Sequence, residues 1–152
     1  RGRIKEYAEK FGCDYYAAGS GTKNPWHIGD VDIALPCATQ NELDKEDAES
    51  LIKGGCIAVA EGANMPTTPD AVDLFIEKGV SFGPGKAANA GGVACSGLEM
   101  AQNNQKIIWN RDETLNKLHG IMIAIHDTCM KTASDYGMPG KTHLHERWDI
   151  RG

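Results

Sequence analysis

Residues 31–82 read VDIALPCATQNELDKEDAESLIKGGCIAVAEGANMPTTPDAVDLFIEKGVSF. Three compact apolar runs punctuate this stretch: Val31–Pro36, Cys56–Ala60 and Val80–Phe82. Two segments with helical spacing separate them. Asp44 is placed to cap the first, which carries Ala48, Leu51 and Ile52 and stops at Gly54. Thr68 is placed to cap the second, and Pro69 takes the first helical position, where its missing N–H costs nothing. That segment carries Val72, Phe75 and Ile76 and ends at Gly79. Strand and helix alternate with a repeat of about 24 residues, the pattern of parallel βαβ crossovers. The runs lack polar alternation, so helices are expected over both faces of the sheet.

Upstream, Ile4, Tyr7, Ala8 and Phe11 recur at helical spacing, with Gly12 placed to end the helix. Cys13–Ala18 is a short strand candidate, and GSGTKNPW (19–26) reads as a loop. After Gly92 the strand pattern stops. A helix is expected over Val93–Asn104, and a second opens on Asn110 and Glu113, spaced as a capping box. Leu115, Leu118, Met122, Ile125, Cys129, Ala133 and Tyr136 then form one apolar stripe, which predicts core packing. The fold class expected is α/β: a partial Rossmann-like parallel sheet (βαβαβ) followed by long carboxy-terminal helices.

Composition narrows the function. At 152 residues the chain suits one domain with one core. A formal net charge of −5 and the lack of any Lys/Arg run argue against nucleic acid. No apolar run approaches the ~18 residues of a membrane span. The opening RGRIKEYAEK is charged where a signal peptide needs an apolar stretch. Five cysteines are scattered without a CxxC pair, which suits reduced thiols better than a disulfide framework. His143 and His145, in HLH, offer no convincing metal site, and none is expected.

In an open parallel sheet, ligands bind outside the carboxyl ends of the strands. The segments that follow the three runs are PCATQN (36–41), EGAN (61–64) and GPGKAANAGG (83–92), each expected to be a loop. All are small-residue-rich and furnished with amides or hydroxyls. Small residues let a flat ligand approach the backbone, and Asn or Gln donates and accepts at once. Turn chemistry alone favours Gly and Asn in any one such loop; three at the same sheet edge favour a ligand. Gly83-Pro-Gly-Lys-Ala-Ala88 mimics a GxGxxA dinucleotide fingerprint, but no second strand and acidic residue follow it. It also fails as a phosphate P-loop, since Ala87 follows Lys86. Asp30 and Asp32 read as turn and strand-edge residues, and no nucleophile–base pair emerges from spacing.

VDIALPCATQNEL (31–43), AEGANMPTTPDA (60–71) and GPGKAANAGGVACSGLEMAQN (83–103) closely resemble stretches of the hexameric glutamate dehydrogenases of bacteria and fungi. RGRIKEYAEKFG, NPW (24–26) and DETLNKLHGIMIAIHDTC resemble the flanking elements of that family. The resemblance implies reversible oxidative deamination of L-glutamate to 2-oxoglutarate and ammonium, with hydride transfer to NADP or, less in keeping with it, NAD. It implies a cytoplasmic homohexamer as the parent. Ala38, Thr39 and Gln40 match the loop beside the cofactor's ribose and nicotinamide. Asn64 matches the asparagine at the nicotinamide ribose, and Asn89 the one that reads the carboxamide. Ser96 matches the serine that binds the substrate's distal carboxylate, against the plainer reading of an ordinary helix residue.

The resemblance also implies what is missing. No counterpart is present of the substrate domain, with its catalytic lysine and aspartate, or of the first strand, Gly-rich turn and second strand of the nucleotide domain. Residues 1–140 are therefore expected to be part of a dinucleotide-binding domain, with no catalytic residue and no activity alone. Residues 141–152 (KTHLHERWDIRG) depart from the family pattern and are expected to be a divergent tail from a shifted or truncated frame. Resequencing that returned the same uninterrupted frame would refute the frame origin. The alternatives are a free-standing nucleotide-binding or regulatory module, which NADP binding by the chain alone would favour, and a non-functional gene remnant.

Overall fold

Three short strands pair in parallel and in chain order, β1 (Ile33–Ala34), β2 (Ala58–Ala60) and β3 (Ser81–Gly83). The structure is a computed structural model that describes residues 4–17, 24–27 and 29–137. The helices are α1 (Ile4–Phe11), α2 (Lys45–Lys53), α3 (Pro69–Glu77), α4 (Gly85–Ala88), α5 (Ala90–Gln105) and α6 (Arg111–Asp135), with a 3-10 turn at Pro25–His27. The α/β class and the βαβαβ order are as expected. β1 and β2 are shorter than their apolar runs, whereas β3 equals its run in length and is shifted by one residue. Beyond β1 the Pro36 carbonyl accepts instead from the Gly62 and Ala63 N–H groups, at 2.9 and 3.2 Å. Pro36 itself has no N–H to continue a ladder.

Register places the core. Ala34 pairs with Val59 and Val59 with Phe82, so this row points to one face of the sheet. There α2 and α3 pack on it through Ala48, Leu51, Val72 and Phe75, and Leu43, Val59, Phe75 and Phe82 are fully buried. The opposite face differs from expectation. Ile33, Leu35 and Ile57 are 59%, 59% and 65% exposed, because no described element packs over them. Covering helices are therefore present on one face only among the described residues.

Local signals set the helix ends. Asp44 caps α2 in a full capping box with Asp47, and Asn110 caps α6 in another with Glu113. Gly12 and Gly79 follow α1 and α3 at φ of 67° and 75°, the left-handed region glycine enters freely. Thr68 sits at the start of α3 without a side-chain capping bond. Cys13–Ala17 is irregular and exposed and belongs to none of the three strands among the described residues. Ala18, like His143, His145 and the 141–152 tail, lies outside the described residues.

The GPGKAANAGG segment also departs from expectation. It holds α4 and the start of α5, broken at Asn89, instead of an open loop. The stripe on α6 is only partly core: Ala133 is buried, Leu118, Met122, Ile125 and Cys129 are half-buried, and Leu115 and Tyr136 are exposed. The helix packs on α5 and α4, leaving much of the stripe open among the described residues. Met122 lies opposite Gly91, whose missing side chain would meet its sulfur at 3.7 Å. No helix among the described residues is long and apolar enough to cross a membrane.

A buried polar cluster docks the 3-10 turn on α2. The Asp47 carboxylate, 4% exposed, accepts from Asn24 Nδ2, from the Asp44 N–H at 3.0 Å and lies 3.0 Å from His27 Nε2. Burial pushes its carboxyl up from the ordinary value, against the lowering effect of the Asp44 N–H. A raised folded-state pKa favours the protonated native form. This contribution is present below the unfolded value, about 3.9, and is lost as pH rises through the raised one. The stability of wild type relative to Asp47→Asn is thus expected to increase as pH falls across that window. Urea denaturation of both proteins in steps from about pH 5.5 to 3.5 checks it. A flat or opposite difference would refute the assignment.

Candidate functional site

Because the strands are parallel, the segments leaving β1, β2 and β3 emerge at one edge of the sheet. Backbone hydrogen bonds join them. Asn41 N–H donates to the Met65 carbonyl at 3.0 Å, Leu43 N–H to Pro66 at 3.0 Å, and Thr68 N–H to Leu43 at 2.9 Å. Leu43 and Thr67 form an isolated parallel bridge. Asn41 and Met65 both adopt left-handed backbone, at φ of 53° and 50°. Such strain at two bonded non-glycine residues persists only where the surroundings fix it, and it is common at ligand sites.

The first loop is braced from within. Glu42 Oε1 accepts from the Ala38 N–H at 2.9 Å, and the Glu42 carbonyl accepts from Trp26 Nε1 at 3.0 Å. Between these anchors Ala38, Thr39 and Gln40 are exposed. Asn64 is exposed at the crest of the second loop, beside Met65. Gly62 supports that loop against the first: a Cβ there would lie 2.3 Å from Cys37 Sγ.

Asn89 is half-buried at the junction of α4 and α5. Its Nδ2 donates to the Ala63 carbonyl at 2.8 Å, so the amide orientation is fixed and its oxygen remains the accepting end. Ser96 lies farther up α5, roughly 10 Å of helix beyond Asn89. Its hydroxyl is exposed and makes a long 3.5 Å contact with the Gly92 carbonyl. The structure thus brings Ala38–Gln40, Asn64 and Asn89 together through their loops and leaves Ser96 apart, on the same helix that Asn89 opens.

The sequence did not single out Glu61. It is 5% exposed, and both oxygens are engaged: Oε1 accepts from the Thr67 N–H at 3.2 Å and Oε2 from the Gly85 N–H at 2.6 Å. The signal available was an acid placed directly after an apolar strand, where a buried carboxylate requires donors. Gly85 is equally confined: a Cβ there would stand 3.2 Å from Glu61 Oε2, 3.3 Å from the Ala63 carbonyl and 3.4 Å from Asn89 Nδ2. A cleft of about 330 Å³ lies elsewhere, lined among others by Pro25, Trp26, Ile33, Ala34, Leu35 and Leu51 beside β1. None of the candidate site residues lines it. Among the described residues no group of three His, Cys, Asp or Glu side chains could hold a metal ion.

A three-stranded parallel sheet in chain order, its crossover helices α2 and α3 on one face and its joined loops at the carboxyl edge, defines a Rossmann-like α/β protein. The profile of the glutamate/leucine/phenylalanine/valine dehydrogenase family matches residues 1–147, and the chain belongs to that family. The chain is 57% identical over 131 residues to the NADP-specific glutamate dehydrogenase of Haemophilus influenzae, covering 86% of this chain and 28% of that protein. An NADP-specific glutamate dehydrogenase from an unknown prokaryotic organism is 51% identical over 152 residues, covering 99% of this chain and 32% of that one. The crystal structure of Plasmodium falciparum glutamate dehydrogenase superposes with a TM-score of 0.82 at 46% identity, covering 90% of this chain and 28% of that one. The chain therefore spans about three-tenths of the length of these relatives.

Proposed function

We propose that this chain supplies the nicotinamide-side loops of an NADP-dependent glutamate dehydrogenase, which oxidises L-glutamate to 2-oxoglutarate and ammonium. The observation that carries this reading is the joining of three amide-bearing loops at one sheet edge, with Asn89 held to Ala63 and Asn41 to Met65. The residues suit the cofactor's nicotinamide half. Thr39, Gln40 and Asn64 offer exposed hydroxyl and amide groups to a ribose, and Asn89 offers an oriented amide oxygen to a carboxamide N–H. NADP, when bound, accepts the hydride from the substrate carbon. The side chains here orient the ring and its ribose and move no proton. Ser96 is proposed to donate to the substrate's distal carboxylate; its long contact with Gly92 gives up little on re-aiming. Residues 1–140 are proposed to form part of the dinucleotide-binding domain of a cytoplasmic homohexamer.

Asn64→Ala tests the reading in the full-length dehydrogenase that carries this segment. Losing one hydrogen bond to the ribose should weaken NADPH binding about three- to tenfold, read by fluorescence titration. Binding of adenosine 2′,5′-bisphosphate, which lacks the nicotinamide half, should not change. An unaltered NADPH affinity would remove the loops from the cofactor site.

A further inference from the structure

Glu61 is an expensive residue to bury, and its carboxylate hydrogen-bonds to Thr67 and Gly85 rather than to Asn64 or Asn89. An ionised carboxylate leaves water only where donors replace its hydration. Here the donors are two backbone N–H groups on different loops, Thr67 at 3.2 Å and Gly85 at 2.6 Å. Both oxygens are engaged, which leaves the group poorly placed to exchange protons with a substrate. What it does is mechanical. The Thr67 bond closes the 61–67 loop on its own first residue, with Asn64 at the crest. The Gly85 bond fixes the start of α4 against the same carboxylate.

A closed ring results. Glu61 holds Gly85; the Asn89 N–H donates to the Gly85 carbonyl at 2.9 Å; Asn89 Nδ2 donates to the Ala63 carbonyl at 2.8 Å; and Ala63 is two residues from Glu61. Asn64 and Asn89, the side chains proposed to meet the ribose and the carboxamide, are thereby held at one separation. The geometry points to Glu61 as the positioning residue that sets the spacing of Asn64 and Asn89, and so the affinity for the nicotinamide half of NADP, without contacting the cofactor. This rests on the cofactor site proposed above.

The test uses the full-length dehydrogenase carrying this segment, with Glu61→Gln and Glu61→Asp beside Asn64→Ala. Glutamine turns an NH₂ toward one of the two N–H donors, while aspartate keeps the charge but is too short to span both. Both are expected to raise the NADPH dissociation constant about tenfold, with adenosine 2′,5′-bisphosphate binding unchanged within about twofold. A general loosening of the fold would weaken both ligands alike, and that result would overturn the proposal. Unchanged NADPH binding in the Glu61 variants, with Asn64→Ala weakened, would overturn it and leave the cofactor site standing. Unchanged binding in all three would overturn both. Failure of both Glu61 variants to fold would confine the residue to stability and overturn the positioning role.

Discussion

Phe82→Ala is expected to cost the sheet about 3–5 kcal/mol, a large part of the roughly 5–15 kcal/mol that holds a domain folded. Phe82 is 0% exposed and continues the row Ala34–Val59–Phe82 that faces the helices. Its ring lies 6.2 Å from that of Phe75 on α3, at an interplanar angle of 23°. Truncation removes the apolar area, the ring contact and the support under α3 together, and the cavity cannot close because Val59 and Leu43 are already fully buried. Hydrogen exchange of the β2 and β3 amides in the full-length protein measures the loss. Protection lowered by less than about 1 kcal/mol would mean that this face is not the core.

Local chemistry explains why the crossovers were legible. Asp44, Asn110 with Glu113, and the glycines after α1 and α3 act within a few residues of themselves, so the sequence carries the whole interaction. The misses all involve partners distant in the chain. Cys13–Ala17 has strand-like composition but no place in the described sheet. The α6 stripe has helical spacing, yet spacing states which residues share a face and not how much of that face a neighbour covers. The runs of β1 and β2 suggested two covered faces, whereas among the described residues the core lies on the side that α2 and α3 reach.

The site divides in the same way. That three loops meet at one edge follows from parallel strands and was legible without any relative. Which side chain is proposed to meet which part of a cofactor came only from resemblance. Glu61 escaped both routes, because a lone glutamate among Gly, Ala and Asn resembles a solvated charge until Thr67 and Gly85 are seen to close on it. The Gly-rich GPGKAANAGG segment was expected to be open for a similar reason. Its helical turn is held by Pro84, whose carbonyl accepts from Ala87 and Ala88, and by bonds from Gly85 and Asn89 to residues more than twenty positions away.

Gly85→Ala should therefore damage the site while changing one methyl group. Alanine is the better helix former, so propensity alone predicts a small gain at the first residue of α4. Geometry opposes it. The new Cβ would stand 3.2 Å from the Glu61 carboxylate, 3.3 Å from the Ala63 carbonyl and 3.4 Å from the Asn89 amide. None of these can retreat cheaply: the carboxylate is tied to Thr67, the carbonyl is backbone, and the amide is tied to that carbonyl. Overpacking of this kind costs about 1–3 kcal/mol, and the shift it forces falls on the ring that spaces Asn64 and Asn89. We expect a lower melting temperature and about tenfold weaker NADPH binding in the full-length dehydrogenase. Destabilisation with wild-type affinity would separate the packing of this ring from cofactor recognition; a neutral substitution would show that the loops yield more readily than their bonds imply.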